Sequence, residues 1–132
     1  MTSGKSLYDY PIHLGLGATA VMEPQFSGLD WYEDYAKRHA VDGAEGRLVS
    51  LFRFDESWTS WEMHPSGEEV VCVVSGLMTL HQQRPDGSEQ SYDLGPGDYA
   101  INSRGTWHTA DAAAPVVPLF ITAGEGTTHR SR

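Results

Sequence analysis

The sequence is 132 residues long, enough for one domain that buries roughly two-thirds of its unfolded surface without disulfide staples. Its 18 acidic and 9 basic side chains give a formal net charge of -9, which argues against attraction to nucleic-acid phosphates or an anionic membrane surface. The single cysteine, Cys72, excludes an intramolecular disulfide, and no run of apolar residues is long enough to span a bilayer as a helix.

The first segment, MTSGKSLYDYPIHLGLGATAVMEP, lacks the apolar core of a secretory signal, so a soluble cytoplasmic protein is expected. Pro11, Gly15, Gly17, Pro24 and Gly28 interrupt residues 1 to 28, which predicts extended arms with at most one short strand. Arms of this kind, rich in aromatic residues, can cover a sheet edge on a partner subunit. GLGATA at 15 to 20 has neither the preceding hydrophobic strand nor the βαβ surroundings of a dinucleotide-binding turn. LDWYEDYAKRHA, residues 29 to 40, places acids early and Lys37, Arg38 and His39 late, the polarity a helix dipole favours, and Gly43 and Gly46 mark its exit.

From Arg47 onward, β-branched and aromatic segments alternate with turn clusters: RLVSLFRF, SWTSWEMH, EVVCVVS, LMTLHQQ, SYDL, DYAIN, TWHTAD and VVPLFIT. This spacing predicts an all-β sandwich or barrel. RPDG, residues 84 to 87, is the clearest hairpin turn, because Pro presets one dihedral and Asp-Gly tolerates left-handed backbone. Cys72, inside VVCVV, reads as a small buried hydrophobe.

Within SWTSWEMH, alternation puts Glu62 and His64 on one face of a strand and Trp61 and Met63 on the other. After the turn PSGE the chain can return antiparallel, with Glu69 on the face of Val71 and Val73 and Glu68 in the turn or facing away. Taken alone, such a pair is more often solvated surface than a ligand clamp. The downstream stretch LGPGDYAINSRGTWH adds a second tight turn, a short strand, a glycine turn and His108.

Together these stretches resemble a single-domain cupin. The first motif of that family is matched in spacing by Glu62-x-His64, Glu69 and Gly76, and the second by Gly97, Ser103-Arg104-Gly105, His108 and Ala112, with Pro96 to Asp98 as the typical preceding turn. The resemblance implies a double-stranded β-helix, the jelly-roll barrel, over residues 47–123, preceded by an N-terminal arm and short helix, 1–46, and followed by a tail, 124–132, that is mobile or packed on a neighbour. It also implies that Glu62, His64, Glu69 and His108 hold a divalent metal ion inside the barrel, and together with the N-terminal arms it points to a homodimer. This chain departs from the motif at three places: Glu62 stands where a first histidine is usual, Ser103 replaces proline and Ala112 replaces asparagine.

With Glu62 as a ligand, two histidines and two carboxylates form a harder, charge-neutralising set that suits zinc, iron, manganese or nickel. Otherwise Glu62 is a general base beside a three-ligand ion, or the substitution that abolishes metal binding. The function expected is a small metalloenzyme of the dioxygenase, isomerase or lyase class acting on a small organic molecule, with Glu62 as the catalytic candidate. The alternative is a non-catalytic module that senses or stores a small ligand or metal, or a barrel without metal. Candidates for the barrel wall are Arg53, His81, Tyr99 and Phe52 or Phe54, of which only one parity per strand can face inward; Trp58, Trp61 and Trp107 read as packing residues.

Overall fold

The computed structural model describes all 132 residues. Eleven strands, all paired antiparallel, form two sheets. In chain order they are β1 (Ile12–Gly15), β2 (Thr19–Met22), β3 (Arg47–Leu51), β4 (Ser60–Met63), β5 (Glu69–Ser75), β6 (Met78–Gln83), β7 (Glu89–Leu94), β8 (Tyr99–Asn102), β9 (Trp107–Asp111), β10 (Val117–Thr122) and β11 (Thr128–Ser131). One sheet has the order β2-β1-β3-β10-β5-β8 and the other β11-β4-β9-β6-β7. This is the all-β jelly roll expected. No helix is long and apolar enough to cross a membrane.

The N-terminal residues differ from the expectation of at most one short strand. β1 and β2 form a hairpin, and β1 also pairs with β3, so both strands extend the larger sheet of their own chain. Gly17 and Ala18 both have positive φ in its turn (74° and 58°), where Thr19 Oγ1 donates to the Leu16 carbonyl. The C-terminal residues are likewise not a loose tail, because β11 pairs with β4 along Thr128–Met63, His129–Glu62, Arg130–Trp61 and Ser131–Ser60.

The helix is α1 (Leu29–Arg38), followed by a 3-10 segment, Ala40–Glu45. Trp31 is its buried anchor: the indole N–H donates to the Pro24 carbonyl and the ring stacks on Tyr35. The predicted RPDG turn closes the β6–β7 hairpin, with Gly87 N–H donating to the Arg84 carbonyl at 2.9 Å and Gly87 at φ 86°.

Alternation divides the residues of each strand between barrel and exterior. Val71, Val73, Met78, Leu80, Ala110 and Phe120 point inward and form the core, with Phe52, Phe54 and Trp58 packed against it. The outer face of the six-stranded sheet is also apolar. The pairing register aligns Met22, Ile12, Val49, Ile121, Val70 and Ile101 as one row across all six strands, with Leu51, Leu119, Cys72 and Tyr99 beside it. Cys72 is therefore a half-buried residue of this outer face, because its neighbours Val71 and Val73 take the inward positions. Tyr99 also faces out, as does His81, which bonds Ser91 Oγ and Asp111; Arg53 is an exposed partner of Asp55.

Candidate metal centre

Two cross-strand rows meet inside the barrel. In the smaller sheet the register sets His129, Glu62, His108 and Gln82 side by side on β11, β4, β9 and β6. In the larger sheet it sets Thr122, Glu69 and Asn102 side by side on β10, β5 and β8. His64, immediately after β4, completes the group, and its carbonyl accepts from Gly105 N–H, which ties the first turn to the second. One ligand atom from each of Glu62, His64, Glu69 and His108 lies within 4.8 Å of every other. Donors about 2.0–2.2 Å from one ion stand at most about twice that distance apart, so the four are close to the spacing a shared ion requires.

Glu69 is buried and held at both oxygens: Asn102 Nδ2 donates to Oε1 at 3.0 Å and Thr122 Oγ1 donates to Oε2 at 2.6 Å. Gln82 Nε2 in turn donates to Asn102 Oδ1 at 2.8 Å, linking the two sheets behind the site. Glu62 is less enclosed, with Oε1 2.9 Å from His64 Nε2 and Oε2 3.0 Å from His129 Nε2. Glu68 is exposed, as its place in the turn implied.

Both imidazoles are oriented through Nδ1, that of His108 by the Thr106 carbonyl at 3.2 Å and that of His64 by Thr127 Oγ1 at 2.8 Å. A carbonyl can only accept, so His108 carries a proton on Nδ1 and, when neutral, turns the lone pair of Nε2 inward. The Nε2 atoms of His64 and His108 are fully buried and make no hydrogen bond of acceptable angle. Carboxylate oxygens nevertheless stand 2.9 to 3.2 Å from them. Lone pairs facing carboxylates repel unless a cation lies between, whether a proton on each ring or a divalent ion shared by all four groups.

The same arrangement displaces the acidities. Burial alone pulls the two imidazoles down, but close contact with Glu62 and Glu69 outweighs it and raises His64 to about 9 and His108 to about 10. Burial pushes both carboxyls up, and the two imidazoles overcome it, holding Glu62 and Glu69 well below the usual carboxylate range. The metal-free site thus pairs two carboxylates with two protonated imidazoles at neutral pH, and a metal ion would take the place of those protons.

Around the centre, Trp58 meets His108 edge to face at 6.2 Å and continues through Phe54 and Phe120 as an aromatic wall. Tyr32 of α1, 39% exposed, lies within the field of the centre: burial of part of its ring, then the charges of Glu62 and Glu69, push its phenol up to about 12. Tyr32, Thr127 and His129 had no local signal in the sequence, whereas Asn102 could have been found by its alternation with inward Ala100 in DYAIN. A second cluster, His13, His39 and Asp42, lies outside the barrel. Three of its four imidazole nitrogens are hydrogen-bonded: His13 bonds Tyr35 Oη and Asp42, each at 2.6 Å, and His39 Nε2 bonds Glu23 at 2.7 Å.

No protein-family model matches the sequence, and no curated protein does. Solved structures do match the fold. An oxalate oxidase, solved with glycolate, aligns at TM-score 0.54 and 13% identity over 62% of this chain and 45% of its own. The Bacillus subtilis oxalate decarboxylase, whose Mn(II) centres have been studied, aligns at TM-score 0.55 and 17% identity over 73% of this chain and 26% of its own. The chain has the cupin fold. A hydroquinone 1,2-dioxygenase from Sphingomonas, solved with 4-hydroxybenzoate bound, aligns with this cupin barrel at TM-score 0.50 and 17% identity over 58% of this chain and 59% of its own. In each case the cupin barrel described here spans less than two-thirds of the other chain's length.

Proposed function

We propose that this cupin is a small metalloenzyme in which Glu62, His64, Glu69 and His108 bind one divalent ion, and that it acts on a small organic molecule. The observation that carries the proposal is the pair of buried, unpartnered imidazole nitrogens turned toward two carboxylates. The donor set suits zinc, iron, manganese or nickel, with the second carboxylate disfavouring soft ions. A bound ion would supply Lewis-acid polarisation of a substrate oxygen. Trp58 and its aromatic neighbours place apolar surface beside His108, which suits a substrate with an apolar or aromatic body. The proteins of like fold include dioxygenase, oxidase and decarboxylase activities, all on small oxygenated molecules, which agrees with this substrate class.

Glu69 is locked by Asn102 and Thr122, so Glu62, which neither of these holds and which is partly exposed, is the carboxylate able to shift between ligand and general base. The chain works as a homodimer joined through the apolar outer face of the six-stranded sheet. That face carries no acid along its central row in a chain of net charge -9, while the outer face of the other sheet presents Thr79, His81, Gln83, Asp93 and Asp111. The free thiol of Cys72 on that face suits a reducing cytoplasm, and the acidic charge does not suit nucleic acid or anionic lipid.

The deciding experiment is metal analysis of protein purified without chelator and after reconstitution, on the wild type and Glu62→Gln together. The wild type should hold about one equivalent and gain thermal stability from it, and Glu62→Gln should bind more weakly. A wild type that takes up none of the four metals would overturn the proposal; full occupancy in Glu62→Gln would leave the metal and remove Glu62 from its ligands.

A further inference from the structure

The segment after Ala123 reaches two of the four proposed ligands. Thr127 Oγ1 contacts His64 Nδ1, and His129 Nε2 contacts the outer oxygen of Glu62. We propose that Thr127 is a positioning residue of the metal centre: its hydroxyl keeps the proton of His64 on Nδ1 and turns the Nε2 lone pair into the site. The proposal rests on the metal reading above and adds a residue outside the cupin motifs to it.

A hydroxyl has one proton to donate. Thr127 Oγ1 donates it to the Gly124 carbonyl at 2.8 Å, a group that can only accept. Toward His64, at 2.8 Å, the same oxygen must then accept, so the ring carries its proton on Nδ1. His64 Nε2 is thereby left as the ligand atom, and it is one of the two buried nitrogens without a hydrogen bond. His108 is oriented by the backbone carbonyl of Thr106, which no side-chain replacement removes, whereas the orientation of His64 depends on one side chain.

The surrounding segment holds that side chain in place. Thr127 N–H also bonds the Gly124 carbonyl at 3.2 Å, closing a turn in which Gly126 has φ 77° and lies against Pro65, the residue after His64. Beyond the turn, β11 is pinned to the barrel. The Arg130 guanidinium sits 4.4 Å from the Trp107 ring and 5.3 Å from that of Trp61, and Arg132 donates to the carbonyls of Trp58 and Ala110 and to Asp111. A residue far from both ligand-bearing turns is thus placed against the ring it orients.

The test uses the full chain with cobalt(II) as the probe, titrated by visible absorption into wild type, Thr127→Val and Thr127→Ser. Thr127→Val keeps the shape and removes the acceptor; it should weaken cobalt affinity by about 10-fold to 100-fold and alter the absorption bands, while Thr127→Ser restores both. Thr127→Val also leaves the His64 Nδ1–H without its acceptor, so the unfolding midpoint of the metal-free protein is measured in all three to separate that cost from the change at the metal. Equal affinity and an unchanged spectrum in Thr127→Val would overturn the positioning role while leaving the metal reading intact. So would a loss of metal-free stability that alone accounts for the weaker binding. A wild type that binds no cobalt would remove both. Should Thr127→Val fail to fold, long-range proton–nitrogen NMR of the zinc-loaded wild type reads the tautomer directly: a proton on His64 Nδ1 supports the proposal, and a proton on Nε2 overturns it.

Discussion

Glu62 and Glu69 are chemically identical and differently held. Glu69 accepts from Asn102 and Thr122 and is buried, so Glu69→Gln would turn an amide toward donors that need an acceptor at both oxygens. Its expected outcome is loss of metal uptake together with a lower unfolding midpoint, whereas Glu62→Gln, which leaves fewer donors without an acceptor, should lower uptake with a smaller drop in the metal-free midpoint. Their titration also sets a pH dependence. Imidazoles raised from 6.5 to about 9 and about 10 stabilise the metal-free fold fully below their ordinary value, and that contribution is lost as pH rises through the raised ones. The lowered carboxyls contribute above their ordinary value of 4.5 and lose that contribution as pH falls. The site's contribution to the metal-free fold is therefore full between these ordinary values. A metal must displace the imidazole protons, so affinity should rise with pH through neutrality by up to about tenfold per unit for each proton displaced. Calorimetric titration at several pH values checks this, and a flat profile would show the rings already neutral.

At the scale of the elements, what could be read from the sequence was whatever depends on short spacing. Glu62 and His64 share a strand face, PSGE returns the chain so that Glu69 rather than Glu68 points inward, and RPDG closes its hairpin. The β1–β2 hairpin was not legible, because its turn uses Ala18 at φ 58°, a residue without left-handed preference. Nor was β11: THRS has no hydrophobic alternation, and what recruits it is Arg130 between Trp61 and Trp107, a contact made only in the folded barrel. Gly76, at φ 82°, shows the opposite case. A Cβ there would lie 2.4 Å from the Pro115 carbonyl oxygen, so the β5–β6 turn excludes any other residue. Gly76→Ala should cost about 1–2 kcal/mol from backbone strain alone, with more from the clash, read as a lower midpoint in urea denaturation.

For the whole molecule, the two sheets have unlike exteriors. One carries ion pairs such as His81–Asp111 and Arg132–Asp111, and the other an apolar row from Met22 to Ile101. Homodimers joined through such a face should be visible as a doubled mass by light scattering at micromolar concentration. Ile121→Glu, at the centre of the row, should give monomers that retain the metal. A wild type that elutes as a monomer would rule out this interface.

The row His129–Glu62–His108–Gln82 has one more consequence, in the order of folding events. Its first two members are 67 residues apart in sequence, and Glu69 comes from the opposite sheet. No single hairpin contains the ligand set, and a slip of one residue in any contributing strand would turn its donor out of the barrel. Competence to capture an ion should therefore arrive late in refolding, after the long-range strand pairings that are slowest to form.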